Sequence, residues 1–223
     1  MNQFNQSISR REESILATNK VLKNTYMLLA MTLIFSAATA GLSMTLKLPS
    51  MGFVVTLVGY FGLLWLTTKF RNSSMGIVCV FALTGFMGLT LGPMLNMYIS
   101  AYSNGSELIM TSLGGTGVIF LGLSGYALTT KKDFSFMSGF LMVGILVAFL
   151  AGIGAMIFSI PALSLGVSAM FIMLMSGMIL YQTSEIIHGG ETNYIMATVS
   201  LYISLFNLFT SLLHILGAVS GRD

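Results

Sequence analysis

Charge is scarce in this chain. Only 8% of its 223 residues are Asp, Glu, Lys or Arg, against roughly 25% in an ordinary soluble domain. So few charges cannot coat a water-facing surface, which excludes a soluble globular enzyme or binding module. The ten basic residues are scattered and the net charge is +3, so no cluster exists to hold nucleic acid. One cysteine, Cys79, excludes an intramolecular disulfide. Catalytic signatures are missing too: no His-Glu-x-x-His, no Gly-x-Ser-x-Gly and no glycine loop followed by Lys-Ser/Thr. Asp133, Glu185 and Glu191 lie outside the apolar runs, where an intramembrane aspartyl protease would need its pair. The expectation is a protein that is not an enzyme. No catalytic residue, metal, cofactor or soluble small-molecule substrate is expected.

What is there is apolar. Hydrophobic residues make up 55% of the chain, with 24 Gly and only 3 Pro, a composition suited to close-packed transmembrane helices. Apolar spans fall at 25–46, 52–68, 75–99, 108–129, 137–158, 163–182 and 193–217, each near the roughly 20 residues that cross a hydrocarbon core. The reading is an all-α integral membrane protein with seven spans. Residues 1–24 form a polar cytoplasmic tail, 25–217 the transmembrane domain and 218–223 a short C-terminal tail. The sixth span follows Pro161 and a tight connector, so a re-entrant hairpin also suits it. Ala38-Thr39-Ala40 resembles a leader cleavage site, but the long tail before it and the apolar run on to Leu46 favour a retained first helix. With the N-terminus inside, Arg10, Arg11, Lys20, Lys23, Lys69, Arg71, Lys131 and Lys132 are cytoplasmic, and only Lys47 and Arg222 are outside. The positive-inside rule therefore gives a cytoplasmic N-terminus and a periplasmic C-terminus.

The polar residues that remain are patterned. In the last span Ser200, Ser204, Asn207, Ser211 and His214 recur at steps of four, three, four and three, which places them on one helical stripe. Lipid cannot satisfy such groups, so the last helix is expected at the centre of the bundle. His214 reads as a hydrogen-bonded bundle residue rather than a proton relay. In the third span Gly85, Gly88 and Gly92 share a face, and the small-xxx-small spacing predicts a close helix approach. Pro93 there is expected to free a backbone carbonyl. Glu185, His188 and Glu191 recur at steps of three around Gly189-Gly190. Metals do take imidazole and carboxylate ligands, yet the glycines suit a hydrated turn, and the three residues form a candidate cytoplasmic docking loop.

Thr198-Val-Ser-Leu-Tyr-Ile-Ser-Leu-Phe-Asn-Leu-Phe209 resembles the signature of the transmembrane Bax-inhibitor motif family, in which a Leu-Tyr-Leu-Asp block leads to Asn-Leu-Phe. Gly88-Leu-Thr-Leu-Gly-Pro93 and Lys131-Lys-Asp-Phe-Ser-Phe136 are further marks. Asn19 to Tyr26, Leu128 to Asp133 and Ile187 to Tyr194 are similar to blocks of its bacterial inner-membrane members. The similarity runs from about residue 14 to the end. It implies a seven-helix bundle with the last helix central, in the bacterial inner membrane. It also implies a modulator, and slowly degraded client, of the membrane-anchored FtsH-type ATP-dependent protease and its associated membrane complex. The tail 1–24 would then be the protease handle, and Gln182, Ser204 and Asn207 the core polar contacts. Family members that leak calcium in a pH-dependent way carry two aspartates, at the positions of Gln182 and Ser204 here, and an arginine where Phe70 falls. Gln and Ser hydrogen-bond but cannot titrate, which argues against the alternative, an ion (calcium or proton) leak.

Overall fold

A computed structural model describes residues 2–221, with side chains from Leu16 onward. Arg222 and the side chains of Arg10 and Arg11, used above for orientation, lie outside the described residues. Seven long helices follow one another: α1 (Asn2–Thr45), α2 (Phe53–Phe70), α3 (Ser74–Ala101), α4 (Gly105–Thr130), α5 (Ser138–Ile157), α6 (Pro161–His188) and α7 (Tyr194–Ser220). A 3-10 turn, Ser135–Met137, leads into α5. From Leu16 on, every one of the seven is long and apolar enough to cross a membrane. The protein is an all-α integral membrane bundle.

The helix ends follow local chemistry. Pro161 opens α6, where its missing N–H costs nothing. Gly189 closes it in the left-handed conformation, φ 76°, which a residue without Cβ adopts freely. Asn193 caps α7 by accepting hydrogen bonds from the Ile195 and Met196 amides at 3.0 and 3.1 Å.

α7 lies at the centre, packed against α6, α4, α1 and α3. α3 joins α1 to α2 on one side, while α6 joins α4 to α5 on the other. Leu201, Leu208 and Leu213 of α7 are wholly buried. Ile34, Val54, Val58 and Met142 instead stand exposed on the outside of the bundle, the arrangement lipid as solvent demands. α2 and α5 are the peripheral helices. Only Thr67 of α2 and Leu141, Ala148 and Ala155 of α5 are buried, against ten residues of α3 and thirteen of α7.

The glycine face of α3 packs on α1. A methyl group at Gly88 would collide with the Ser36 carbonyl and the Thr39 hydroxyl, and one at Gly92 with Ser43. Pro93 cannot donate to the Leu89 carbonyl four residues back, and the Ser43 hydroxyl of α1 donates to that oxygen instead, at 2.9 Å. Both expectations for this helix hold.

The reading of the sixth span needs correction. α6 is one continuous helix of 28 residues, about 40 Å long, and is not a re-entrant hairpin. It also runs six residues beyond the expected end at Gln182, because nothing breaks it before Gly189. Thr183 and Ser184 are fully buried in it, and Glu185 and His188 ride on its last turns rather than in a loop. At the other end, α1 passes without a break through the boundary drawn between residues 24 and 25. Val21 and Leu22 already pack against the core.

Candidate functional site

The polar stripe of α7 is covered. Ser204 and Ser211 are buried, Ser200, Asn207 and His214 are half-buried, and none is exposed. Its members find different partners. The Ser204 hydroxyl lies 3.2 Å from the Gln182 side-chain oxygen of α6 and 3.1 Å from the Ser200 carbonyl. Asn207 donates to the Ile203 carbonyl of its own helix at 2.9 Å and does not bond to Gln182. His214 pairs through Nδ1 with the Ser168 hydroxyl of α6 at 2.7 Å. The structure thus joins Gln182 to Ser204 and leaves Asn207 beside them.

A second polar face escaped the sequence reading. The buried Tyr202 hydroxyl meets the Ser36 hydroxyl of α1 at 2.6 Å and the Thr84 carbonyl of α3 at 3.3 Å. One turn earlier, Thr198 donates to the Thr25 carbonyl at 3.2 Å. Thr183 of α6 likewise reaches Tyr26 of α1 and Ser124 of α4, at 3.3 and 3.4 Å. The four-residue step from Thr198 to Tyr202 was the available signal, masked by the longer stripe next to it. These bonds tie α7 and α6 to α1, α3 and α4, and in hydrocarbon each hydroxyl needs such a partner.

Gln182, Ser200, Ser204 and Asn207 form the floor of a cleft of about 740 Å³ between α2, α3, α5, α6 and α7. Its walls are mostly aromatic, aliphatic and methionine side chains, with Thr56 and Thr90 among them, and among the described residues no carboxylate, ammonium, guanidinium or imidazole lines it. Along α6 it runs from Phe171 to Gln182, about 16 Å, or half of a hydrocarbon core of about 30 Å. Ser211 and His214 lie beyond its end. The chemistry this floor offers is neutral hydrogen bonding.

At one end of the bundle three connectors are clasped together. His188 Nε2 is 3.1 Å from the Lys131 carbonyl and Nδ1 is 2.9 Å from the Ser184 carbonyl. Ser184 in turn donates to the Lys132 carbonyl at 3.2 Å and accepts from the Phe134 amide at 3.0 Å. Asn193 donates to the Arg71 carbonyl and the Asn72 side-chain oxygen, at 3.0 and 2.8 Å. Glu191 accepts from the Asn193 amide at 2.7 Å, while the Glu185 carboxylate lies against Gly190. Glu185, His188 and Glu191 therefore face different neighbours, and among the described residues no group of three such side chains is placed to hold a metal. Phe70 accepts from Ser73 through its carbonyl, and Lys69 beside it rests over the Trp65 ring at 5.0 Å. The Ser135 amide and hydroxyl, together with the nearby His188, hold the Asp133 carboxyl below its ordinary value.

These features define a class: a multi-pass membrane bundle with a central last helix and an uncharged polar floor. The family model described as "Inhibitor of apoptosis-promoting Bax1" matches residues 18–221, and the chain belongs to that family. It is 54% identical over 217 residues to the Escherichia coli K12 protein named "Modulator of FtsH protease YccA", covering 97% of this chain and 98% of that one. An uncharacterized protein of Pseudomonas aeruginosa is 50% identical, covering 99% of this chain and 97% of its own length. A third relative, from Neisseria meningitidis serogroup B, is 34% identical over 92% of this chain and 93% of its own.

Proposed function

We propose that this protein is a non-enzymatic regulator of the inner membrane that binds and modulates an FtsH-type ATP-dependent protease, and is itself degraded slowly by it. The observation that carries the reading is the near full-length 54% identity to the modulator from E. coli. A 98%-covered relative from a second E. coli strain is named as an inner membrane protein. The N-terminus is cytoplasmic in this reading. That orientation puts Lys69, Arg71, Lys131 and Lys132 on the inner side with the clasped connectors. The residues 1–24 are the handle offered to the protease, and the surface around Glu185, His188 and Glu191 is where it docks. Gln182, Ser204 and Asn207 hold the bundle's polar centre.

The packing favours slow extraction. α1, which leads from the handle, is bound to α3 by glycine contacts and to α7 through Tyr202. A protease pulling on the N-terminus must break the tightest seam in the bundle before anything else moves. An ion leak is the weaker reading, since among the described residues no ionised group lines the cleft.

The test is a pull-down of the tagged full-length protein and of a form lacking residues 1–15. That cut spares Val21 and Leu22, which pack on the core. Co-purification of the protease with both forms, and a longer cellular half-life for the shortened one, supports regulation with the tail as handle. If the protease is never recovered and turnover ignores the tail, the reading fails.

A further inference from the structure

We propose that the cleft between α2 and α5 is a binding site for a neutral, membrane-dissolved molecule of the quinone or quinol class. Such a ligand has a carbonyl- or hydroxyl-bearing ring and an apolar tail. The inference is independent of the protease reading and starts from the cleft itself. About 740 Å³ lies within the range of roughly 300–1,000 Å³ that small-molecule sites occupy. Such sites combine apolar walls with a few placed polar groups, and this one has both.

The floor has spare hydrogen-bonding capacity. Gln182 is only 8% exposed, and its side-chain oxygen faces the Ser204 hydroxyl. Among the described residues its amide nitrogen makes no hydrogen bond, and Gln182 is one of the residues that line the cleft. A side-chain amide held at this depth is costly to leave unmatched in hydrocarbon. Ser200 also lines the cleft, and Asn207 donates its side-chain nitrogen to Ile203, which leaves its side-chain oxygen to accept. A carbonyl on a ligand would accept from Gln182 or Ser200, and a ligand hydroxyl would donate to Asn207.

The walls decide the rest. Phe61, Phe86, Phe171 and Phe206 flank the cleft, with Met175 and Met178 beside them. Aromatic faces pair with a planar ring in offset or edge-on contact, and methionine adapts to an irregular edge. Among the described residues no cation lines the cleft to hold a phosphate. Access comes from the side. Phe61 of α2 and Met142 and Leu146 of α5 line the cleft and are also exposed on the outside of the bundle, so its mouth opens into lipid. An apolar tail leaves by that route.

The experiment uses the full-length protein in detergent, titrated with decylubiquinone. Bound mass is read by native mass spectrometry and the shift in Tm is read in parallel. The wild type is expected to bind one molecule saturably and to rise in Tm. Gln182→Leu and Asn207→Leu should each weaken binding tenfold or more. Ile145→Trp, which fills the wall without touching the floor, should abolish both binding and the Tm shift while the protein stays folded. Ser200→Ala carries the floor test if Gln182→Leu does not fold. Absence of saturable binding by the wild type overturns the proposal, as does equal affinity in the wild type, the floor variants and Ile145→Trp. If Ile145→Trp expels a protein partner yet leaves decylubiquinone binding intact, the cleft is a seat for a partner helix and the proposal is likewise overturned.

Discussion

Pro93 and Ser43 are a matched pair. The proline removes the amide that would have served the Leu89 carbonyl, and the Ser43 hydroxyl supplies the missing donor from another helix at 2.9 Å. Ser43→Ala should therefore cost about 1–3 kcal/mol, the penalty for a buried acceptor left unmatched. In a Pro93→Ala background the residue-93 amide can reclaim Leu89, and the same substitution should cost much less. Thermal unfolding of the four proteins in detergent measures the difference, and equal costs in both backgrounds would refute the pairing. That a carbonyl is freed was legible from Pro93 alone, because the rule is local. That Ser43 answers it was not, because the two residues lie in different helices and only packing brings them together. Asp133 gives a pH-dependent counterpart outside the membrane. Hydrogen bonds from the Ser135 amide and hydroxyl, then the nearby His188, lower its carboxyl. A lowered carboxyl stabilises above its ordinary value, and that contribution is lost as pH falls through the lowered one. The Tm gap between wild type and Asp133→Asn should be small at pH 7, unchanged at pH 5, and close on further acidification. A gap that widens in acid would contradict this.

Asn193 shows how one residue serves two helices at once. Its side-chain oxygen caps α7, and its nitrogen holds the connector between α2 and α3 through Arg71 and Asn72. Asn193→Ala should destabilise by about 1–2 kcal/mol, the upper range for a lost cap. Asn193→Asp keeps the capping oxygens and loses the donor, so it should fall between the two. Chemical unfolding ranks the three proteins, and an Asp variant no better than Ala would show that the cap contributes nothing. Where α6 ends has the same kind of logic. Thr183, Ser184 and Glu185 look like chain leaving the membrane, yet polarity does not stop a helix, whereas a left-handed Gly189 does. Gly189→Ala should cost about 1 kcal/mol, the strain of a Cβ at φ 76°. The stripe on α7 was legible because it repeats at helical spacing within one segment. The Tyr202 face was not, because its partners Ser36 and Thr84 come from α1 and α3.

The bundle is built unevenly, and that unevenness bears on how it moves. α1 and α3 meet through glycines that admit no added methyl group, and α7 is anchored to four neighbours. α2 leans on α3 and α5 on α6, with the cleft of about 740 Å³ between them. Regions with few buried contacts open at lower free energy than the core, so the α2–α5 separation is the soft coordinate of the molecule. The seven spans announce a bundle in the sequence, and the stripe announces its centre. The softness is silent there, because it depends on which helices lack a second neighbour. Spin labels on a Cys79→Ser background make it measurable. One pair sits at Val58 of α2 and Leu150 of α5, and the other at Ile34 of α1 and Val78 of α3. All four positions are exposed, so the labels disturb no packing. Pulsed dipolar spectroscopy in nanodiscs should give a broad distance distribution for the first pair and a narrow one for the second. Equal widths would mean that the lipid-facing mouth is as rigid as the glycine seam, and a cleft that never widens would admit only what already fits its aromatic walls.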